Sequence, residues 1–203
     1  MLETYVLRAV LFLALAILAG CTASPPSDPN DICEIFREKS NWYSSAIASE
    51  RKWGSSIPTM MAIMRHESGF VADAKPARMR ILWIIPGPRP SNAYGYPQAL
   101  DDTWAWYKSD SGNWGADRDD FEDAIDFLGW YNHQTFVRNN VKLEDTFNLY
   151  LAYHEGQKGY QLGTYRGKTW LKNTAVAVAQ RANTYKRQLD SCKSEFSERK
   201  SWF

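Results

Sequence analysis

The octapeptide IMRHESGF, Ile63 to Phe70, places a glutamate at the end of an apolar helical run. Met60, Met61, Ile63 and Met64 supply the apolar face, and Ser-Gly follows the glutamate at once. A carboxylate in the last turn of a helix sits at the negative end of the macrodipole. Apolar neighbours such as Met64 and Phe70 add desolvation. Both effects disfavour the ionised form and raise the pKa. A carboxyl group that keeps its proton near neutral pH can pass it to the leaving oxygen of a glycosidic bond. Glu67 is therefore a candidate general acid, against the alternative of a solvated glutamate at a helix end.

Other chemistries find little support. The three histidines are His66, His133 and His154. His66-Glu67 begins like H-E-x-x-H, but Phe70 stands where the second histidine belongs, so no metal site is expected. No G-x-S-x-G and no phosphate-cradling glycine loop occurs. Ser68 near His66 is no dyad, because close neighbours on a helix point in different directions. Lys and Arg number 24 against 23 Asp and Glu, a net charge of +1 without a long basic run, which argues against nucleic acid. No cofactor is implied.

A chain of 203 residues fits one domain, and its periodicity reads as helical almost throughout. Residues 31–52 form a first helical stretch. In GSSIPTMMAIMRHESGF, Ser55 or Ser56 can cap, Pro58 suits the first turn and Gly69 the position past the end. Ala74 to Pro90 breaks the pattern; its apolar run Ile81 to Ile85 reads as a strand, a hairpin arm or an ordered loop. Helices resume at Pro97 to Tyr107, after the Asp119-Asp120 pair, over LEDTFNLYLAYHEG up to Gly156, and from Thr169 to Cys192. The nine Trp and eleven Tyr fit a bulky core or a cleft that stacks rings on sugars or bases.

Three stretches occur in order: HESGF, AYGYPQAL and LAYHEG, with the helix FEDAIDFLGWY between the last two. The ordered set resembles the lytic transglycosylases that carry the soluble-lytic-transglycosylase catalytic domain, over roughly Ile57 to Leu189. The family's marks are E-S-G-F/W, G-L-M-Q and A-Y-N-x-G. The resemblance implies an all-α, lysozyme-like fold with at most a small β element, and cleavage of peptidoglycan strands. It implies Glu67 as the single acid/base and Ser68 as a polar neighbour that helps position the substrate. Gly95 and Gln98 match the ends of the G-x-x-Q motif, whose Gln contacts the glycan. Tyr153 matches the tyrosine that packs beside the glutamate and orients it. Tyr96-Pro97 replaces Leu-Met, which predicts an altered cleft floor. His154, a candidate substrate contact, replaces Asn. The spacing from Glu67 to Gly95 is longer than usual, so Arg78 to Arg89 reads as an insertion over or beside the cleft. Glu155, adjacent to His154, is the carboxylate a hydrolase on this fold would need. A wall-binding protein without turnover is the alternative that the altered motif favours.

Residues Ala9 to Ala19 form an apolar run the length of a signal-peptide core, with Arg8 before it. It ends in LAGC, which resembles the lipobox of bacterial lipoproteins and implies a lipid anchor on Cys21. Residues 1–20 are then a lipoprotein signal peptide, 21–31 a Pro/Ser/Asp-rich flexible tether and 32–203 the domain. Thr22 follows the cysteine, not the Asp associated with inner-membrane retention. In a Gram-negative source this implies the periplasmic face of the outer membrane, and otherwise the outer face of the cell membrane. With Cys21 acylated, Cys33 and Cys192 remain. In an oxidising compartment they can pair across the domain; two buried free thiols are the alternative. A monomer is expected.

Overall fold

The segment IPTMMAIM is apolar on nearly every side, and such a helix has to be enclosed by other elements. The computed structural model describes residues 24–81 and 85–198. Among them are helices α1 (Ile32–Glu38), α2 (Trp42–Trp53) and α3 (Ile57–Ser68), strands β1 (Arg80–Ile81) and β2 (Ile85–Pro86), and helices α4 (Asp101–Ser111), α5 (Phe121–Asn139), α6 (Thr146–Leu162) and α7 (Thr169–Glu198). Every residue of α3 from Ile57 to Met64 is buried. The long helix α7 covers one side of it, and α5 and α2 cover others. The expected all-α architecture is present, with a small β element.

Helix α7 can do this because Leu171, Ala175, Val178, Ala182, Tyr185, Leu189, Cys192 and Phe196, all buried, recur at alternating steps of four and three. Helix α5 approaches α2 closely at Gly129, where a Cβ would stand 2.3 Å from Ser49 Oγ. Ser49 is buried and donates to the Ile125 carbonyl at 2.9 Å. Near the start of both helices, Trp42 stacks flat on Phe121, centroids 3.8 Å apart.

Local differences from the sequence reading have packing causes. The stretch 31–52 is two helices, interrupted at Lys39. The first buries Ile32, Cys33, Ile35 and Phe36 and packs against α7; the second turns Trp42 towards Phe121. One straight helix cannot serve both faces. Helix α4 begins at Asp101, and Pro97 lies in the turn before it. Gly156 breaks α6 at φ 74°, ψ 161°, but the chain resumes helix as far as Leu162. Of the readings offered for the 74–90 segment, the hairpin is observed: β1 and β2 pair antiparallel, Arg80 opposite Pro86 and Ile81 opposite Ile85.

Residues 21–31 were expected to be a free tether, yet residues 26–31 lie against the domain. Pro26 is buried. The Pro29 carbonyl accepts from Arg65 Nε at 2.8 Å and from the Tyr185 hydroxyl, and Asn30 Oδ1 accepts from Arg65 Nη2 at 2.8 Å. Asp31 caps α1 by accepting from the Cys33 and Glu34 amides. Polar composition was misleading because the segment docks largely through hydrogen bonds of a backbone carbonyl and of polar side chains, groups that composition alone reads as solvated. The apolar run and Cys21 lie outside the described residues.

Cys33 on α1 and Cys192 on α7 are joined by a disulfide, 159 positions apart in sequence. In the chain-entropy account, so long a loop gives a stabilisation of about 5 kcal/mol at most. Denaturant unfolding with and without reductant should show a loss approaching that value. Unchanged unfolding after complete reduction would contradict it.

Candidate active site

Glu67 occupies the last turn of α3, just beyond the enclosed stretch. Gly69 ends the helix in the left-handed region, its amide donating to the Arg65 carbonyl at 3.0 Å. Phe70 follows, also left-handed at φ 64° and fully buried. Ser68 supports this end: its hydroxyl donates to the Met64 carbonyl and accepts from the Phe70 amide, each at 3.2 Å. Ser68 does not line the cleft, so its hydroxyl serves the helix terminus where a substrate contact had been expected.

A cleft of about 440 Å³ opens at Glu67, lined also by Gln98, Leu100 and Thr103 on one wall and Tyr153, His154, Glu155 and Gly156 on another, with Phe127 and Tyr131 from α5. Four sequence-predicted residues, Glu67, Gln98, Tyr153 and His154, thus share one cavity.

Gln98 is placed by a tight turn. Gly95 adopts φ 78°, and a Cβ there would stand 2.1 Å from the Arg118 carbonyl. No other residue fits so close an approach. The next amide, of Tyr96, donates to that same carbonyl at 2.9 Å. Gln98 Nε2 donates to the carbonyls of Ala74 and Gly95 at 2.9 and 2.8 Å. Both amide hydrogens are thereby committed, which leaves the side-chain carbonyl as the group for a ligand. Tyr96 and Pro97, expected to shape the cleft floor, are not part of the cleft lining. Tyr96 is 1% exposed and lies edge-on to Trp42 and Phe121. Pro97 is also buried, and its carbonyl accepts from the Tyr153 hydroxyl.

Two tyrosines three residues apart on α6 share a helix face. Tyr150 is a second tyrosine that bears on the glutamate, and each of the two groups shifts the other's proton affinity. Tyr153, which the motif singled out, packs edge-on to Tyr131 at 5.1 Å and ties α6 to the Pro97 turn. Its phenol is pushed well above the ordinary value by burial first and then by the nearby Glu67 charge. Sequence reasoning missed Tyr150; its place one helical turn before Tyr153 was the available signal.

The electrostatics separate the two carboxyls. Glu67 keeps some surface on the cleft, but burial raises its pKa from the ordinary 4.5 to about 7, against the opposing effect of Tyr150. Burial also pushes Glu155 upward, its side chain being 3% exposed. There, however, hydrogen bonds from Lys168, Thr164 and His154 win and hold the carboxyl at about 2. Lys168 Nζ reaches the two Glu155 oxygens at 2.7 and 2.9 Å, and His154 Nδ1 lies 3.0 Å from one of them. One group can give and take a proton near neutral pH; the other is a fixed anion. Among the described residues no cluster of three or more His, Cys, Asp or Glu could hold a metal ion.

The raised Glu67 pKa has a stability consequence. The folded chain keeps this proton up to about pH 7, whereas the unfolded chain releases it near the ordinary value. The stabilisation is full below that value and is lost as pH rises through about 7, amounting to roughly 3 kcal/mol. Glu67→Gln should therefore be more stable than wild type at pH 8, by up to that amount, with the gap closing at pH 4. Thermal unfolding at both pH values measures this.

No curated protein and no solved structure matches the chain. A family model described as "Transglycosylase SLT domain" matches residues 9–192. That span takes in the glutamate turn, the Gly95–Gln98 turn and the tyrosine face of α6, so the chain belongs to the transglycosylase SLT domain family.

Proposed function

We propose that this protein is a peptidoglycan lytic transglycosylase that cleaves the β-1,4 bond between N-acetylmuramic acid and N-acetylglucosamine and leaves 1,6-anhydro ends. The observation that carries this reading is the contrast within one cleft between Glu67, near 7, and Glu155, held at about 2.

Glu67 protonates the bridging oxygen, and the bond from that oxygen to C1 of the muramic acid unit breaks. The N-acetyl group of the same sugar stabilises the developing cation. Glu67, now ionised, takes the proton of that sugar's 6-hydroxyl as its oxygen bonds to C1. No water is consumed, and the carboxyl returns to its starting state. A pKa near the working pH suits a group that must act in both directions. Tyr150 bears on the carboxyl through the exchange, and Gln98 offers its carbonyl oxygen to the strand. The glycan strand is thus the partner, and no cofactor takes part.

Hydrolysis is the second reading, because Glu155 lines the same cleft. A carboxylate already shared among Lys168, Thr164 and His154 is a poor base for water. The two readings differ in product: ring closure gives muramic acid ends lighter by one water than the reducing ends of hydrolysis. Mass analysis of sugars released from purified wall should find anhydro ends. Reducing ends as the main product, with Glu155→Gln as damaging as Glu67→Gln, would establish hydrolysis instead. Glu67→Gln should lose about 10²–10⁴-fold in rate, and wild-type turnover should fall as pH rises above about 7, where the acid loses its proton. A variant that binds wall but turns over normally without Glu67 would remove the assignment.

The LAGC stretch supports a lipid anchor on Cys21, hence action at the periplasmic face of the outer membrane in a Gram-negative source, as a monomer. Cys21→Ser should leave unacylated protein in the soluble fraction. Unchanged membrane fractionation of that variant would count against the anchor.

A further inference from the structure

Helix α7 buries a regular stripe that begins at Leu171, and Trp170 falls off it. The indole is 57% exposed, whereas Trp42, Trp104 and Trp130 are each 8% exposed or less. Core packing therefore does not explain a tryptophan at this position. Its backbone is nevertheless held firmly. The Trp170 carbonyl accepts from Thr174 Oγ1 at 3.1 Å, and Lys168, two residues earlier, is clamped to Glu155.

The ring is placed where the cleft ends. Trp170 meets His154 edge-on, centroids 5.1 Å apart, and His154 lines the cleft with Glu67. His66 lies in the same neighbourhood: its ring stands edge-on to Tyr150 at 5.3 Å, and it feels the charge of His154. His154 lines the cleft, and Trp170 adjoins the cleft through the His154 ring. Trp114 is also exposed, at 69%, but it belongs to the loop after α4; neither tryptophan is itself part of the cleft lining, and Trp170 differs in touching His154, which is. Exposure alone does not make a site; continuity with the cleft separates these two tryptophans.

We propose that Trp170 and His154 form an outer sugar subsite that grips a pyranose ring of the strand beyond the scissile bond. This rests on the strand-cleaving reading above and adds a dependence on strand length to it. An indole presents a large apolar face, which suits the C–H face of a pyranose. His154 Nδ1 is taken up by Glu155, which leaves Nε2 as the ring atom for a sugar hydroxyl. Lys168 and Glu155 already pair with each other, so packing on the sugar face carries the grip.

Binding of stem-free glycan strands of graded length to the full-length Glu67→Gln protein tests this without turnover. Adding Trp170→Ala should weaken binding of long strands about tenfold more than binding of the disaccharide. Trp170→Tyr should restore most of the loss, and Trp114→Ala should leave both affinities unchanged. An equal loss at every length, or no loss at any, would overturn the subsite. The outcome is independent of the cleavage reading. Anhydro or reducing ends decide the reaction, and the length dependence of binding decides the subsite.

Discussion

The enclosure of α3 is the constraint on which the rest of the structure depends. Eight other described elements surround or flank it, but a helix apolar from Ile57 to Met64 has no stable place except between α7, α5 and α2. Its C-terminal turn must then emerge at a wall of the core, and whatever stands there is partly withdrawn from water. Glu67 stands there. The proton affinity of this carboxyl is thus a by-product of how the core is built, since desolvation by the surrounding protein is the leading cause of its shift.

The same burial has to be tolerated by the fold. An unpaired carboxylate near the core is unfavourable, and the structure meets it with hydroxyls in place of cations. Tyr150 bears on Glu67 without a full charge, so the carboxyl's proton affinity stays high. Glu155 shows the opposite solution a short distance along α6. It is buried too, but Lys168 and Thr164 tie it down, and it behaves as a structural anion that joins the kinked end of α6 to the start of α7. Two glutamates of one cleft acquire opposite characters because burial dominates at one and hydrogen-bonding partners at the other. That contrast favours single-carboxyl chemistry over a paired-carboxylate mechanism.

Glycine placement lets the three motif segments converge. Gly69 ends α3 at the glutamate. Gly95 admits the Arg118 carbonyl at a distance no side chain tolerates, which fixes the turn that aims Gln98. Gly156 breaks α6 so that the tyrosine face and the Glu155 clamp look to the same cavity. Each acts on backbone geometry, and each sits beside a residue with a polar task. The Tyr96-Pro97 pair fits this scheme: Tyr96 fills core space beside Trp42, and Pro97 contributes only its carbonyl.

Much of this was legible in the sequence. Local periodicity gives the helices, because a buried face recurs every three to four residues whatever lies opposite. The end of α3 at Gly69, the raised proton affinity of Glu67 and the pairing option for Cys33 and Cys192 follow from residue type and order. Three-dimensional packing alone decided the remainder. It split residues 31–52 into two helices, because their apolar faces meet different neighbours. It brought Tyr150 as well as Tyr153 within electrostatic reach of Glu67, because α6 presents both tyrosines on one face. It made Glu155 a clamped anion, because Lys168 arrives from a chain segment that sequence spacing does not place. Composition and order specify which groups can do chemistry, whereas the field and hydration each group feels are set by atoms distant in the chain.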